Sequence, residues 1–202
     1  MESTFQKYRK PFSVVAVAAG VFFLGTTQSR WETGTEAISF TLFLIGMVLV
    51  GIASLGRMWC SLYIAGYKDN RLVTKGPYSI SRNPLYFFSL LGVIGIGCCT
   101  ETFTFPIVFT ILFGLYYPLI IKGEAQRLKQ LFGGEFEDYV QKVPAFFPKI
   151  SLLDEPQNYH VIPATYRKHI FSALWFIWLT GILEFIEGVR EIGWITPLLS
   201  VY

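Results

Sequence analysis

Five apolar runs, at residues 12–26, 37–55, 84–99, 103–121 and 169–185, alternate with polar or charged segments along the chain. Each is close to the length of about 17–25 residues that crosses the hydrocarbon of a bilayer as a helix, so five transmembrane spans are predicted. The run at 12–26 follows Lys7, Arg9 and Lys10, a layout shared with secretory signals. The sequence Gly25-Thr26-Thr27-Gln28-Ser29 lacks a small-x-small cleavage site, however, which favours an uncleaved first span. Thr100-Glu101-Thr102 is too short to join the third and fourth runs as anything but an antiparallel hairpin. Gly46, Gly51, Gly92, Gly95 and Gly97 are suited to close helix contacts, and Pro106 and Pro118 should bend or bound the fourth helix.

The polar segments carry the orientation. Residues 56–83 hold Arg57, Lys68, Arg71, Lys75 and Arg82 against the single Asp69, so the positive-inside rule puts this segment and the basic N-terminus in the cytoplasm. Span counting then returns the segment after residue 121 to the same side. Between 124 and 143, Ala125, Leu128, Leu131, Phe132, Phe136, Tyr139, Val140 and Val143 recur at helical spacing among charged residues. This predicts an amphipathic interfacial helix, broken near Gly133-Gly134. Residues 144–168, with Pro148, Pro156 and Pro163, read as an irregular cytoplasmic loop placed to cover a site. Glu184, at the far end of the last run, is expected to touch headgroups rather than a functional partner.

Composition excludes a soluble globule. With 52% hydrophobic and 15% charged residues, and a mean hydropathy of +0.46, the chain has too little charge to coat one. The expectation is an all-α, polytopic helical bundle forming one membrane domain over 1–202. The net charge of +3 is read as topology rather than as a nucleic-acid footprint. Cys60, Cys98 and Cys99 form no even disulfide framework, and His160 and His169 have no partners at metal-ligand spacing.

One polar stretch is richer than a linker requires. Residues 72–86 read LVTKGPYSISRNPLY, with Gly76-Pro77 and Asn83-Pro84 marking turns and Pro84 suited to the first turn of the next helix. Arg82 is thereby held at the mouth of a span near the positive end of its helix dipole, a place for an anion or polar ligand. The GPY and RNPLY elements resemble the G-P-Y…R-H-P-x-Y signature of the isoprenylcysteine carboxyl methyltransferase and phospholipid methyltransferase group. A second block, with Glu124, Leu128, Phe132-Gly133, Tyr139, Val143-Pro144 and Pro148, is similar to its E-E-x-x-L…F-G-x-x-Y-x-x-Y…V-P-R-x-x-P pattern. The likeness spans about 40–150, leaving 151–202 as an extension. Asn83 stands where His is usual, Ala125 where Glu is common, Phe136 where Tyr is common and Ala145 where Arg is common.

The resemblance implies an integral membrane enzyme using S-adenosylmethionine. It implies cofactor-binding positions at Gly76, Pro77, Tyr78, Arg82, Asn83, Pro84, Tyr86 and Glu124, with Arg82 and Glu124 as the candidate catalytic pair. Residue chemistry agrees: the cofactor's ammonium and carboxylate call for an acidic and a basic or amide partner. Tyr78 and Tyr86 offer rings for adenine or for a sulfonium. Methyl transfer is an in-line displacement that needs alignment and exclusion of water. A site at the cytosolic membrane face predicts a lipid-like or prenylated amphiphilic acceptor, with the bilayer itself as a partner. Two further readings stay open at this stage: an NADPH-dependent reductase of the sterol or steroid type, and a catalytically degenerate lipid-binding or scaffold member of the family.

Overall fold

The computed structural model describes residues 26–29, 36–67, 70–194 and 199–201. Its architecture is helical, as the apolar pattern requires. The first expected span, at 12–26, lies almost wholly outside the described residues. Helix α1, Glu36–Ile64, is an apolar stretch of 29 residues that opens on an acidic residue where the helix dipole favours one. At about 1.5 Å per residue it is longer than the hydrocarbon is thick, so its last turns project beyond it. It therefore continues past the predicted end at 55, through Arg57 and the aromatic Trp59 and Tyr63.

A one-turn helix α2, Pro77–Ile80, precedes helix α3, Pro84–Cys98, which has the proline start expected of it. Helix α3 is the centre of the bundle, packing on α1 and on the two long apolar helices that follow. Its crossing with α1 is set by glycine. A Cβ at Gly46 would lie 2.6 Å from Cys99 Sγ and 2.7 Å from the Gly95 carbonyl, and one at Gly95 would lie 2.9 Å from the Gly46 carbonyl. Such spacing brings two backbones together where van der Waals contact replaces the hydrophobic effect as the packing force.

Helix α4, Thr104–Lys142, merges the expected fourth span with the expected interfacial helix. The sequence between them, Glu124 to Leu131, is rich in good helix formers and supplies no stop. The expected break is present at Gly133, whose φ of 51° and ψ of −122° are non-helical. Ile107, Ile111, Leu112, Leu115 and Leu119 form an exposed apolar face on the first half, as suits contact with lipid.

After a loop containing a short 3-10 turn, Ile150–Leu152, the chain forms helix α5, Pro163–Ala173, and helix α6, Trp175–Glu191. The last helical run thus starts before 169, because Pro163 supplies a helix start inside the segment expected to be irregular. Phe176 and Leu183 of α6 join Val50 and Ala53 of α1 and Ile96 of α3 in a common core. Arg57 ties the same elements together: it donates to Ser89 of α3 and to Ser172 of α5, the latter Nη2–Oγ distance being 3.1 Å, and lies over the Phe176 ring. A parallel pairing of strands β1, Thr27–Ser29, and β2, Leu199–Val201, joins the two ends of the described chain.

Three helical stretches, Glu36–Ile64, Thr104–Lys142 and Pro163–Glu191, are long and apolar enough to cross a membrane, and the shorter apolar Pro84–Cys98 lies among them. This is the constitution of an integral membrane protein.

Candidate active site

The polar stretch between α1 and α3 is folded by its own turn residues and then held by a strap from beyond α4. Gly76 has a φ of +60°, and a Cβ there would lie 2.3 Å from the Tyr63 ring, so only glycine fits. Pro77 then starts α2. The strap, residues 143–154, runs alongside: Arg82 N donates to the Pro144 carbonyl at 2.9 Å, Lys149 N to Ile80 O at 2.8 Å and Gly76 N to Asp154 O at 2.9 Å. Side chains add to these. Fully buried Ser81 donates to Phe146 O at 2.8 Å, Asp154 N donates to Ser79 Oγ at 2.9 Å, and Lys75 pairs with Asp154. From the end of α4, Tyr139 donates its phenol to the Tyr78 carbonyl at 2.7 Å.

These contacts build a cavity of about 940 Å³, its open mouth included, between α2, the start of α3 and the middle of α4. Tyr78, Arg82, Asn83, Pro84, Tyr86 and Glu124 all line it. Two segments distant in sequence are thus brought to one space. Gly76 and Pro77 stand outside the lining: both are buried, Gly76 against the Tyr63 ring, and they shape the start of α2.

Within the cavity the polar groups divide by partner. Glu124 Oε2 accepts a hydrogen bond from Tyr86 Oη at 2.9 Å. Tyr86 is fixed in turn by an edge-on contact with Tyr117, at 5.2 Å between centroids, and Tyr117 stacks on Phe113 at 3.7 Å. Arg82 directs Nε to the Val143 carbonyl at 3.0 Å, and Asn83 directs its amide nitrogen to the Ala145 carbonyl at 2.7 Å. Asn83 therefore holds the strap as well as lining the cavity. The Tyr78 hydroxyl is buried and has no hydrogen-bond partner among the described residues. Burial pushes its pKa well above the usual tyrosine range, so it is a neutral donor at physiological pH. Burial also raises Tyr139, against the opposing charge of Arg82.

Sequence reasoning singled out none of Tyr67, Arg71, Leu72, Phe136 or Tyr139 as site residues, yet all line the same cavity. Arg71 lies at its exposed edge over the Tyr67 ring, at 6.0 Å to the centroid. Tyr139 carried a signal, since it belongs to the second signature block. Arg71 and Tyr67 carried none, because the fold of the polar stretch decides which of its residues turn inward. Among the described residues no group of three His, Cys, Asp or Glu side chains is placed to hold a metal, and Cys60, Cys98 and Cys99 are free and buried.

Residues 34–135 match the phospholipid methyltransferase family. The chain belongs to that family. Its match covers α1, α2, α3 and most of α4, and so takes in the cavity lining up to Leu128 but not Phe136, Tyr139 or the strap. Similar proteins extend further along the chain. A nickel-cobalt-cadmium resistance protein of Alcaligenes xylosoxydans xylosoxydans is 35% identical over 195 residues, covering 96% of this chain and 90% of its own. A cobalt-zinc-cadmium resistance protein of Cupriavidus metallidurans is 38% identical over 174 residues, covering 86% and 79%. Protein-S-isoprenylcysteine O-methyltransferase B of Arabidopsis thaliana is 29% identical over 138 residues, covering 67% and 68%. No solved structure matches the chain. The phospholipid methyltransferase family assignment agrees with the two signature blocks, and the methyltransferase names among its relatives support that class of enzyme.

Proposed function

We propose that this chain is a membrane methyltransferase that moves a methyl group from S-adenosylmethionine to an amphiphilic, lipid-like or prenylated acceptor at the cytosolic face. The observation that carries this reading is the cavity in which Tyr86-held Glu124 and Arg82 share one lining. A ligand bearing both an ammonium and a carboxylate is matched by that pair, and the partnerless Tyr78 hydroxyl gives the cavity a buried donor that a ligand would satisfy. S-Adenosylmethionine, when bound, supplies an electrophilic methyl group on a sulfonium.

Glu124 would hold the ammonium, with Tyr86 fixing the rotamer of its carboxylate. Arg82 would hold the carboxylate, with its own Nε anchored on Val143. The rings of Tyr78 and Tyr86 offer negative faces to a sulfonium or flat faces to adenine. Leu85, Ile121 and Leu128 contribute apolar walls that exclude water, which strengthens every charge interaction inside. The cytosolic orientation rests on the basic residues of 56–83 and is part of the proposal. Proximity to the bilayer gives a tailed acceptor a route that a free soluble one lacks. A part in metal tolerance, taken from the names of two relatives, would lie with the methylated product; Glu124→Ala should then abolish tolerance together with methyl transfer.

Calorimetric titration of the detergent-solubilised chain tests the reading. S-Adenosylmethionine and its demethylated product should both bind saturably, and NADPH should not. Binding of NADPH alone would move the chain to the reductase class, and binding of none of the three would leave a lipid-binding or scaffold role.

A further inference from the structure

Arg57 is the only charged residue of α1 after Glu36, and its partners leave its charge uncompensated. It donates to Ser89 and to the hydroxyl and carbonyl of Ser172, and lies over the Phe176 ring at 5.5 Å to the centroid. The ionisable groups that act on it are Tyr117, Cys60, Tyr78 and Tyr86, three phenols and a thiol. Its Nε is buried without a hydrogen-bond partner among the described residues. A guanidinium packed into a helical bundle with neutral partners alone is costly and calls for an anion.

The surface onto which Arg57 opens is also cationic. Ser172 is exposed on α5, and Lys168, four residues earlier, stands one turn away on the same face. Lys168 is exposed and pairs with no carboxylate among the described residues. Residues 37–64 and 156–183, which supply both sides of this seam, contain no aspartate or glutamate. The depth fits a lipid phosphate. Arg57 lies two residues beyond the apolar run at 37–55, and Lys168 immediately precedes the run at 169–185. Phe171 and Trp175, exposed on either side of Ser172, supply the aromatic contact common at that level. Neither Arg57 nor any residue of α5 lines the cavity described above.

We propose that the seam between α1 and α5 binds an anionic phospholipid of the surrounding bilayer, its phosphodiester held by Arg57, Ser172 and Lys168 and its glycerol and upper chains packed on Phe171 and Trp175. Basic pockets between membrane helices recognise anionic head groups in this way. A zwitterionic lipid would bring its own ammonium to a seam that has cations and no acid to receive it. The site stands independently of the methyl-transfer reading.

Native mass spectrometry of the full chain, released from detergent, tests the site with dioleoylphosphatidylglycerol and dioleoylphosphatidylcholine as probes. The glycerol lipid should bind as a single retained molecule, at least about tenfold more tightly than the choline lipid. Excess inorganic phosphate should not displace it. Arg57→Gln should weaken it by about tenfold or more, and Lys168→Gln by about fivefold. Arg57 also ties α1 to α3 and α5, so Lys168→Gln, at an exposed position, keeps the test intact where Arg57→Gln unfolds. Lys142→Gln, which removes the same charge at the exposed end of α4, should have no effect. Equal affinity for the two lipids, displacement by phosphate, unchanged binding in Lys168→Gln, or an equal loss in Lys142→Gln would each overturn the inference.

Discussion

Tyr86, in the first turn of α3, donates its phenol to Glu124 on α4 at 2.9 Å across 38 residues of sequence. The pair joins the two signature blocks in a single hydrogen bond. A carboxylate so held has one oxygen committed and the other free, and its rotamer is fixed before any ligand arrives, which is the sense in which a site is preorganised.

Loss of either partner should therefore register in binding. Glu124→Ala and Arg82→Ala are expected to weaken S-adenosylmethionine binding by about tenfold to a hundredfold while the chain remains folded, the usual scale for deleting a partner of a charged group. Tyr86→Phe should cost less, about threefold to tenfold, because Glu124 keeps its charge and loses only its tether. Glu184→Ala on α6, remote from the cavity lining, should leave affinity unchanged. Calorimetry on the four variants decides the matter, and equal losses in all of them would sink the assignment of the site.

Much of this arrangement was legible in the sequence, and what was not has definite causes. Apolar runs and span counting brought Arg82 and Glu124 to one side of a hairpin, because helix length and bilayer thickness leave little freedom. Gly133 announced its break, being a glycine inside an amphipathic pattern. The extension of α1 past 55 was hidden by Arg57, which reads as loop by charge but is accommodated by Ser89, Ser172 and the Phe176 ring. The strap was equally hidden. Its bonds to Ile80, Ser81, Arg82 and Asn83 all engage backbone atoms on the strap's side, and those have no residue code. For the same reason Asn83 reads from sequence only as a ligand-binding amide, whereas folding gives it the Ala145 carbonyl as well.

The strap makes its own prediction. Ser81 is fully buried, donates to Phe146 O and accepts from Asn83 N at 3.1 Å. Ser81→Ala would leave that carbonyl and amide without their partner at a cost of about 1–3 kcal/mol. Hydrogen exchange should show this as faster exchange at residues 144–154 with little change in α1. Uniform acceleration through the bundle would mean that Ser81 supports the fold at large and not the strap.

The glycine crossing of α1 and α3 should be intolerant of a single methyl group. Gly46→Ala would drive a carbon to 2.6 Å from Cys99 Sγ and 2.7 Å from a backbone oxygen, so the helices must separate. Overpacking of this kind costs about 1–3 kcal/mol. Gly51→Ala on the same helix meets nothing within 4 Å and serves as the control. Thermal unfolding in detergent should fall for the first and hold for the second.

Alkaline pH offers a test of the buried phenols. Tyr78 and Tyr139 have folded pKa values raised by burial, so above about pH 10 the unfolded chain loses these protons while the folded chain keeps them. The folded state then binds more protons than the unfolded one, and stability must decline as pH rises through that range. The contribution is fully present below pH ~10 and lost above it. Tyr78→Phe should flatten the decline, and Tyr139→Phe should flatten it while also removing the bond to Tyr78 O. Unfolding midpoints measured from neutral to strongly alkaline pH would show this as a smaller slope, and an unaltered slope in both variants would remove the phenols as its source.

Orientation is the condition on which the cofactor reading stands, because S-adenosylmethionine is available on one side of the membrane only. On the proposed orientation, Arg57, Lys68, Arg71, Lys75 and Arg82 keep the segment before α3 in the cytoplasm, and the hairpin between α3 and α4 then opens on the opposite face. Asn70 is exposed beside the cavity mouth, and Phe103 is 48% exposed at the far turn. With Cys60, Cys98 and Cys99 replaced, Asn70→Cys should react with an impermeant maleimide only from the cytosolic side and Phe103→Cys only from the other. The reverse pattern would put the cavity where its cofactor is absent, and the methyltransferase reading would fall whatever the binding measurements in detergent gave.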